Sequence, residues 1–374
     1  MPTLQDVLAA RTHEAAPELV ERIDGNRLRC HACGHQCPIP EGALGVCKVR
    51  FNKGGRLQVP WGYVGGVQCD PVEKKPFFHV HPGALAYSFG MLGCDLHCGY
   101  CQNWVTSQAL RDPQAVTPPR DTTPAALVDD AQGYGAKLLV STYNEPLITI
   151  EWAVAIFKEA RARGLVTAFV SNGNGTTRAL EYLRPHVSAY KVDLKSFDDR
   201  RYRELGGRLQ PILDTIRWLH GAGVWVEIVT LLISGFNDSD VELRGLTAFI
   251  AGVSPDIPWH VTAFHKDYRM TDPIDTTPAM LKRAAEIARQ AGLRHVYAGN
   301  QPGCVGDLEH TYCAGCGVRL IARYGYLIQD YRLTPDGACP GCAAKVPGLW
   351  GPGFEGQRTA HPFLPHDRTR LSVL

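Results

Sequence analysis

The chain has 374 residues, with 39 Lys plus Arg against 37 Asp plus Glu and 45% hydrophobic side chains. That length suits one large core with one or two satellites, and the even charge argues against an obligatory nucleic-acid or anionic-membrane surface. No apolar run reaches the ~18 residues of a membrane span, and Met1-Pro-Thr-Leu-Gln-Asp lacks the basic-then-apolar start of a secretory signal.

Thirteen cysteines stand out. Grouped at short spacings and without a signal, they read as metal ligands in a reducing cytoplasm rather than as disulfide partners. The first set, Cys30, Cys33, Cys37 and Cys47, lies in a candidate amino-terminal module over residues 1–69. Its irregular spacing fits either a structural zinc or an auxiliary iron–sulfur cluster, with His31 and His35 as substitute ligands. The segment from Asp70 to Gly83 mixes prolines with basic and aromatic residues. It reads as the piece that docks this module onto the larger central domain, with His79 and His81 alternatively reaching the mouth of the next site.

From Ala84 to Asn300, short apolar runs alternate with amphipathic stretches, which predicts a parallel sheet with crossover helices. Candidate strands are 84–89, 137–142, 166–171, 189–194, 224–231, 259–264 and 295–298. Thr123-Pro124 and Thr277-Pro278 set a capping hydroxyl before proline at the first helical position. Gly164 can end the helix carrying Ile150, Val154 and Phe157, while Ser239 and Glu242 suit a capping box before a helix that Gly252 stops. Six such units predict an α/β partial (β/α)6 barrel over residues 70–300, whose chemistry belongs at the carboxyl ends of the strands.

The loop after the first of these strands reads Cys94-Asp-Leu-His-Cys98-Gly-Tyr100-Cys101-Gln-Asn103. Three thiolates can hold three corners of a [4Fe–4S] cluster and leave one iron open. A closed zinc site needs a fourth ligand; His97 sits awkwardly between two of the cysteines, and Gln102 stands where a c-type haem motif needs histidine. Further along, Tyr143-Asn144-Glu145-Pro146 and Val170-Ser-Asn172-Gly173 end the next two strands in polar groups. Asp193 and Lys195 lie two apart, so on a strand they share a face and must pair or meet a charged ligand. His265 ends the sixth strand, and His260 falls inside it.

Cys313-x2-Cys316 and Cys339-x2-Cys342 bracket a candidate hairpin with Leu320, Ile321, Tyr324 and Tyr326, in a zinc-ribbon-like module over residues 301–351. Four thiolates with no open position predict structural Zn²⁺, with a rubredoxin-type iron as the other choice. Residues 352–374, rich in Pro, Arg and His, make a tail with no assignable role.

The Cys94–Asn103 run resembles the signature of the radical S-adenosylmethionine (SAM) enzymes. That resemblance implies that Cys94, Cys98 and Cys101 are catalytic cluster ligands and that SAM completes the open iron. SAM is then cleaved reductively to a 5'-deoxyadenosyl radical that abstracts hydrogen. It implies that Tyr100 packs on adenine, that Asn144 and Glu145 hold the methionyl amino group, and that Asp193, Lys195 (on the methionyl carboxylate) and His265 contact the cofactor, as in the activating enzyme of pyruvate formate-lyase; Asn172, at the same barrel face, is a further cofactor-contact candidate. At the Asn144-Glu145 position the superfamily usually carries Gly-Gly-Glu, where this chain has Tyr143-Asn144-Glu145. Residues 27–351 together resemble the AmmeMemoRadiSam-system family. The implied partners are a low-potential electron donor, Memo-type and AMMECR-type proteins, and a glycyl-radical enzyme or a small-molecule substrate. The non-enzyme alternative is an iron–sulfur electron carrier or a metal-stabilised assembly module.

Overall fold

Residues 3–351 are described by the structure, a computed structural model; the tail at 352–374 lies outside the described residues. Apolar, β-branched runs form seven parallel strands: β2 (Leu85–Gly90), β3 (Leu138–Ser141), β4 (Val166–Ser171), β5 (Ala189–Asp193), β6 (Trp225–Leu232), β7 (Trp259–Ala263) and β8 (Val296–Gly299). Each lies within about a residue of its predicted run. They pair in chain order, and an eighth strand, β1 (Gly66–Pro71), pairs antiparallel with β2 at the edge. Sequence reading missed β1, where Val67 and Cys69 alternate with Gln68 and Asp70 over only four residues between glycine and proline; register with β2 holds it. It crosses the module limit drawn at residues 69 and 70.

The crossover helices are α1 (Pro124–Gly133), α2 (Ile150–Ala162), α3 (Thr177–Leu183), α4 (Leu209–Gly221), α5 (Asp240–Val253) and α6 (Pro278–Gln290). Thr123 and Thr277 cap α1 and α6 through their hydroxyls, as predicted. Gly164 follows α2 at φ +78°, a left-handed turn that glycine makes without strain. The capping box of α5 is only half formed. Ser239 accepts from the Glu242 amide, but the Glu242 carboxylate reaches out to Ser196 and to the Phe197 amide. Gly252 lies inside α5 rather than ending it.

Alternate residues of each strand face opposite ways. The outward set, with Phe89, Leu139, Phe169, Tyr190 and Ile228, packs under the helices in the main apolar core. The inward set is apolar low in the barrel, where Ala86, Leu138, Val140, Ala168 and Ala189 meet a plug of Val72, Phe77 and Val80. Higher up it turns polar, with Lys191, Asp193, Thr142 and Thr262.

The plug corrects the expectation that His79 reaches the cluster mouth: it lies at the amino-terminal end of the strands. There Glu227, fully buried, accepts from the amides of Phe78 (3.0 Å) and His79 (2.9 Å), from the Trp225 indole (3.1 Å) and from His260 (2.7 Å). His79 in turn contacts the Tyr297 hydroxyl (2.6 Å) and the Pro347 carbonyl (2.7 Å), while Arg323 donates to the Phe78 carbonyl (2.9 Å). His81 bonds through its amide to the Leu349 carbonyl. The carboxyl-terminal flank therefore meets the plug segment under the barrel.

The amino-terminal region folds into short antiparallel strands, including Val20–Asp24, Arg27–Cys30 and Arg56–Pro60. Its buried Arg50 makes a bidentate pair with Glu151 of α2, both bonds 2.7 Å. Breaking such a pair from one side strands a buried charge, at a cost of about 3–5 kcal/mol.

Burial depresses the affinity of His79, His260 and His295 for protons, His295 from 6.5 to about 4. The unfolded chain then binds protons first as pH falls, so stability present above pH 6.5 drains away toward pH 4. Thermal midpoints measured across that window should fall steeply for the native chain, and less steeply for His295→Gln.

Candidate active site

The loop after β2 is built on tight backbone contact. A Cβ on Gly90 would sit 2.5 Å from the Thr142 carbonyl oxygen and 2.9 Å from Tyr143 Cβ. Gly93 turns at φ +93°, and a Cβ there would meet Val49 at 2.9 Å and the Cys47 carbonyl at 3.1 Å. Loop carbonyls are satisfied from outside. Arg111 donates to the carbonyls of Cys94 (2.8 Å) and Leu96 (3.2 Å), and the Arg269 and Met270 amides donate to Gly99 (2.9 Å each). The Leu96 amide faces Cys94 Sγ at 3.4 Å, and Ser107 Oγ lies 3.1 Å from Cys101 Sγ.

A cavity of about 810 Å³ opens at the carboxyl ends of the strands. Of the residues singled out from sequence, Cys98, Cys101, Tyr100, Asp193 and Lys195 line it. Cys94 turns toward Asp95 instead (3.7 Å). Burial pushes the Cys98 thiol up to about 12, against the pull of the Lys195 charge. Burial alone would depress Lys195, but Asp193 and Cys98 outweigh it and hold its pKa well above the ordinary value. Lys195 Nζ stands 3.5 Å from Asp193 Oδ2. Tyr100 is buried, its ring edge-on to Phe236 at 5.7 Å.

The other candidates lie off the cavity wall. Glu145 accepts from the Leu147 amide (3.0 Å), the Ser171 hydroxyl (2.7 Å) and the Asn172 amide (2.8 Å). Burial, then the nearby Asp95, raises its pKa to about 8. Asn144 Oδ1 accepts from the Met91 amide (2.9 Å), and Asn172 donates to Asp95 (2.7 Å). These three brace the cluster loop and the strand ends. His265 is exposed, 3.0 Å from the Gln102 side-chain nitrogen.

Sequence reasoning missed several groups of the wall. Lys191 pairs with Asp193 from the same strand face, and the period of two that linked Asp193 to Lys195 reaches it equally well. Lys75 bonds Asp70 (3.0 Å) and the Tyr143 hydroxyl (2.8 Å), which in turn bonds Gln68 (3.1 Å); this needs β1, which sequence reading missed. Tyr143 itself has φ +71°, a conformation that is cheap for glycine and strained for an aromatic residue. The anchored hydroxyl holds the tyrosine in it.

In the carboxyl-terminal region Cys313, Cys316, Cys339 and Cys342 bring their sulfurs within 4.8 Å of one another. Two of the separations are 3.5 Å (Cys313–Cys342) and 3.7 Å (Cys316–Cys339). Strands Arg319–Tyr324 and Leu327–Tyr331 form the hairpin between them.

Residues 90–244 match the Radical SAM superfamily. The chain is 35% identical over 329 residues to an uncharacterized protein of Methanocaldococcus jannaschii, covering 87% of this chain and 97% of that one. The chain belongs to the radical SAM superfamily. It is an enzyme of that group, similar to the choline trimethylamine-lyase activating enzyme of Oleidesulfovibrio alaskensis, at 27% identity over 45% of this chain and 50% of that one. It is also similar to the pyruvate formate-lyase-activating enzyme of Clostridium pasteurianum, at 24% identity over 48% and 80%. The superfamily implies a [4Fe–4S] cluster and SAM. The donor set fits: three thiols on one loop, two of them opening on one cavity with the Lys195 cation beside them. No helix among the described residues is long and apolar enough to cross a membrane.

The Gly90 contact gives a direct test of how the loop is held. Gly90→Ala should destabilise the chain by about 1–3 kcal/mol through overpacking against backbone. Gly66→Ala, with open space at its Cβ, should be near neutral, both read from denaturant unfolding.

Proposed function

We propose that the chain is a glycyl-radical-activase-like radical SAM enzyme that abstracts hydrogen from a glycine of a partner protein brought to the mouth of the barrel. The observation that carries this is that Cys98, Cys101, Tyr100, Asp193 and Lys195 share one cavity. Cys94, Cys98 and Cys101 would hold the cluster, which would supply one electron to bound SAM so that its S–C5' bond breaks to methionine and a 5'-deoxyadenosyl radical for hydrogen abstraction. Lys195 pairs with the methionyl carboxylate, Asp193 fixes Lys195 and Lys191, and Tyr100 offers a face to adenine. His265 closes the rim beside Gln102. Asn144, Glu145 and Asn172 position the loop from behind. The apolar plug below excludes water and stray hydrogen donors from the interior.

In this reading residues 70–300 carry the chemistry, in the cytoplasm, with 1–69 and 301–351 as metal-stabilised flanks. The carboxyl-terminal cysteines hold Zn²⁺. Four sulfurs at about 2.3 Å from one ion stand about 3.8 Å apart, close to the separations above. The electron comes from a low-potential donor, and Memo-type and AMMECR-type proteins are the partners. The similarity to two activating enzymes supports hydrogen abstraction from a protein glycine.

A second reading, a small anionic substrate, is favoured by the cavity wall, which carries Lys74, Lys75, Arg120, Lys191 and Lys195 against the single carboxylate of Asp193.

Cys98→Ala should abolish 5'-deoxyadenosine formation in the reduced, anaerobic enzyme while the carboxyl-terminal metal stays bound. Lys195→Met should weaken SAM binding by about 1.5–3 kcal/mol, tenfold or more. Deuterium carried into 5'-deoxyadenosine from a glycine-labelled partner protein supports the activase reading. Label arriving only from a small anion would replace it with the second.

A further inference from the structure

We propose that Cys30, Cys33, Cys37 and Cys47 hold a second [4Fe–4S] cluster, protein-ligated at every corner, which relays single electrons from a low-potential protein donor to the Cys94–Cys101 loop. The inference rests on the reading of that loop as a cluster site.

The distances between sulfurs discriminate the metal. Thiolates that share one zinc converge, as those of the carboxyl-terminal set do. Thiolates on separate iron corners of a cubane stand farther apart. Among the described residues no three of the amino-terminal cysteines bring their sulfurs within 4.8 Å, and neither do Cys94, Cys98 and Cys101. Neither set converges as the carboxyl-terminal one does.

It is nonetheless one site. Cys30, Cys33 and Cys47 are all buried, and the Cys30 amide bonds the Cys37 carbonyl at 3.0 Å. The amides of His35 and Val49, each two residues past a cysteine, face the Cys33 and Cys47 thiols, as the Leu96 amide faces Cys94. The imidazoles open as ligands on sequence grounds are turned elsewhere. His31 bonds Glu21 at 2.8 Å, and His35 points to Asp95 at 4.0 Å.

The site lies against the back of the cluster loop. One guanidinium, Arg111, donates to the carbonyls of both Val46 (2.6 Å) and Cys94 (2.8 Å). Gly93 lets the Cys47 carbonyl approach where a side chain would block it. The Gly34 amide bonds the Asn174 carbonyl (2.8 Å), and Asn174 bonds Asp95 (2.8 Å). Electron flow balances simply: the donor loses one electron, the second cluster gains and passes it, and the SAM-binding cluster is reduced by one. No bond or proton changes hands.

The test is anaerobic reconstitution of the full chain with iron and sulfide, then metal and sulfide analysis and electron paramagnetic resonance. The native chain should hold two cubanes, and a Cys94→Ala/Cys98→Ala/Cys101→Ala variant should keep one. Cys30→Ser/Cys33→Ser should lose one cubane. Its SAM cleavage driven by reduced ferredoxin should fall by at least an order of magnitude, while cleavage driven by dithionite persists. Zinc at the amino-terminal site, or no cubane left in the triple variant, would overturn the assignment. Unchanged ferredoxin-driven cleavage in the double variant would overturn the relay. Failure of the native chain to cleave SAM at all, with both cubanes present, would instead count against the reading of the loop.

Discussion

Asp95 is the buried charge on which the arrangement turns. It sits between Cys94 and the amino-terminal cysteines, almost wholly out of water, where an unpaired carboxylate is costly. Asn172 and Asn174 each donate to one of its oxygens. Both asparagines belong to the end of β4, and Asn174 also receives the Gly34 amide. One carboxylate thus joins three parts of the chain that are distant in sequence: the cluster loop, the strand end beside it and the cysteine module behind. Glu145 stands next to it and bonds the same strand end, and its raised pKa reflects burial together with that neighbouring charge. The polar residues at these strand ends hold the loop. The charges that face the cavity are Lys191 and Asp193 of β5, Lys195 just beyond it, and Lys74, Lys75 and Arg120 from other segments.

The two ends of the barrel treat polar groups differently. At the amino-terminal end Glu227 takes four donors, so its charge is fully engaged. At the other end Lys191, Asp193 and Lys195 satisfy one another only in part, and they face a cavity. A charged network left with unused donors toward open space is available to a ligand in a way the Glu227 network is not. The difference separates a structural buried network from a binding one without appeal to any relative.

Much of this was legible from the residues. Strands β2 to β8 declare themselves as short apolar runs because they are covered on both faces, and Thr123 and Thr277 mark helix starts by their chemistry. The cluster loop is legible because three thiols at fixed spacing have few other uses. What sequence hid was what depends on contact between distant segments. β1 is a strand only because β2 offers it an edge. His79 reaches the barrel floor because Phe77 and Val80 plug it. Glu145, a polar residue at a strand end, gives no sign in the sequence that its oxygens bond Leu147, Ser171 and Asn172.

Cysteine count alone also could not separate the flanking sites, since both offer four thiols. Geometry separates them in one respect: among the described residues the carboxyl-terminal thiols converge and the amino-terminal ones form no such group. The carboxyl-terminal sulfurs sit on a hairpin whose two C-x2-C turns face one another, which brings them together around one point. The amino-terminal ones are dispersed over a strand end at Cys30, a turn through Cys33 and Cys37, and a loop at Cys47, with left-handed residues at Gln36 and Lys48 shaping the path. A backbone laid out that way does not bring its thiols to one point as the hairpin does.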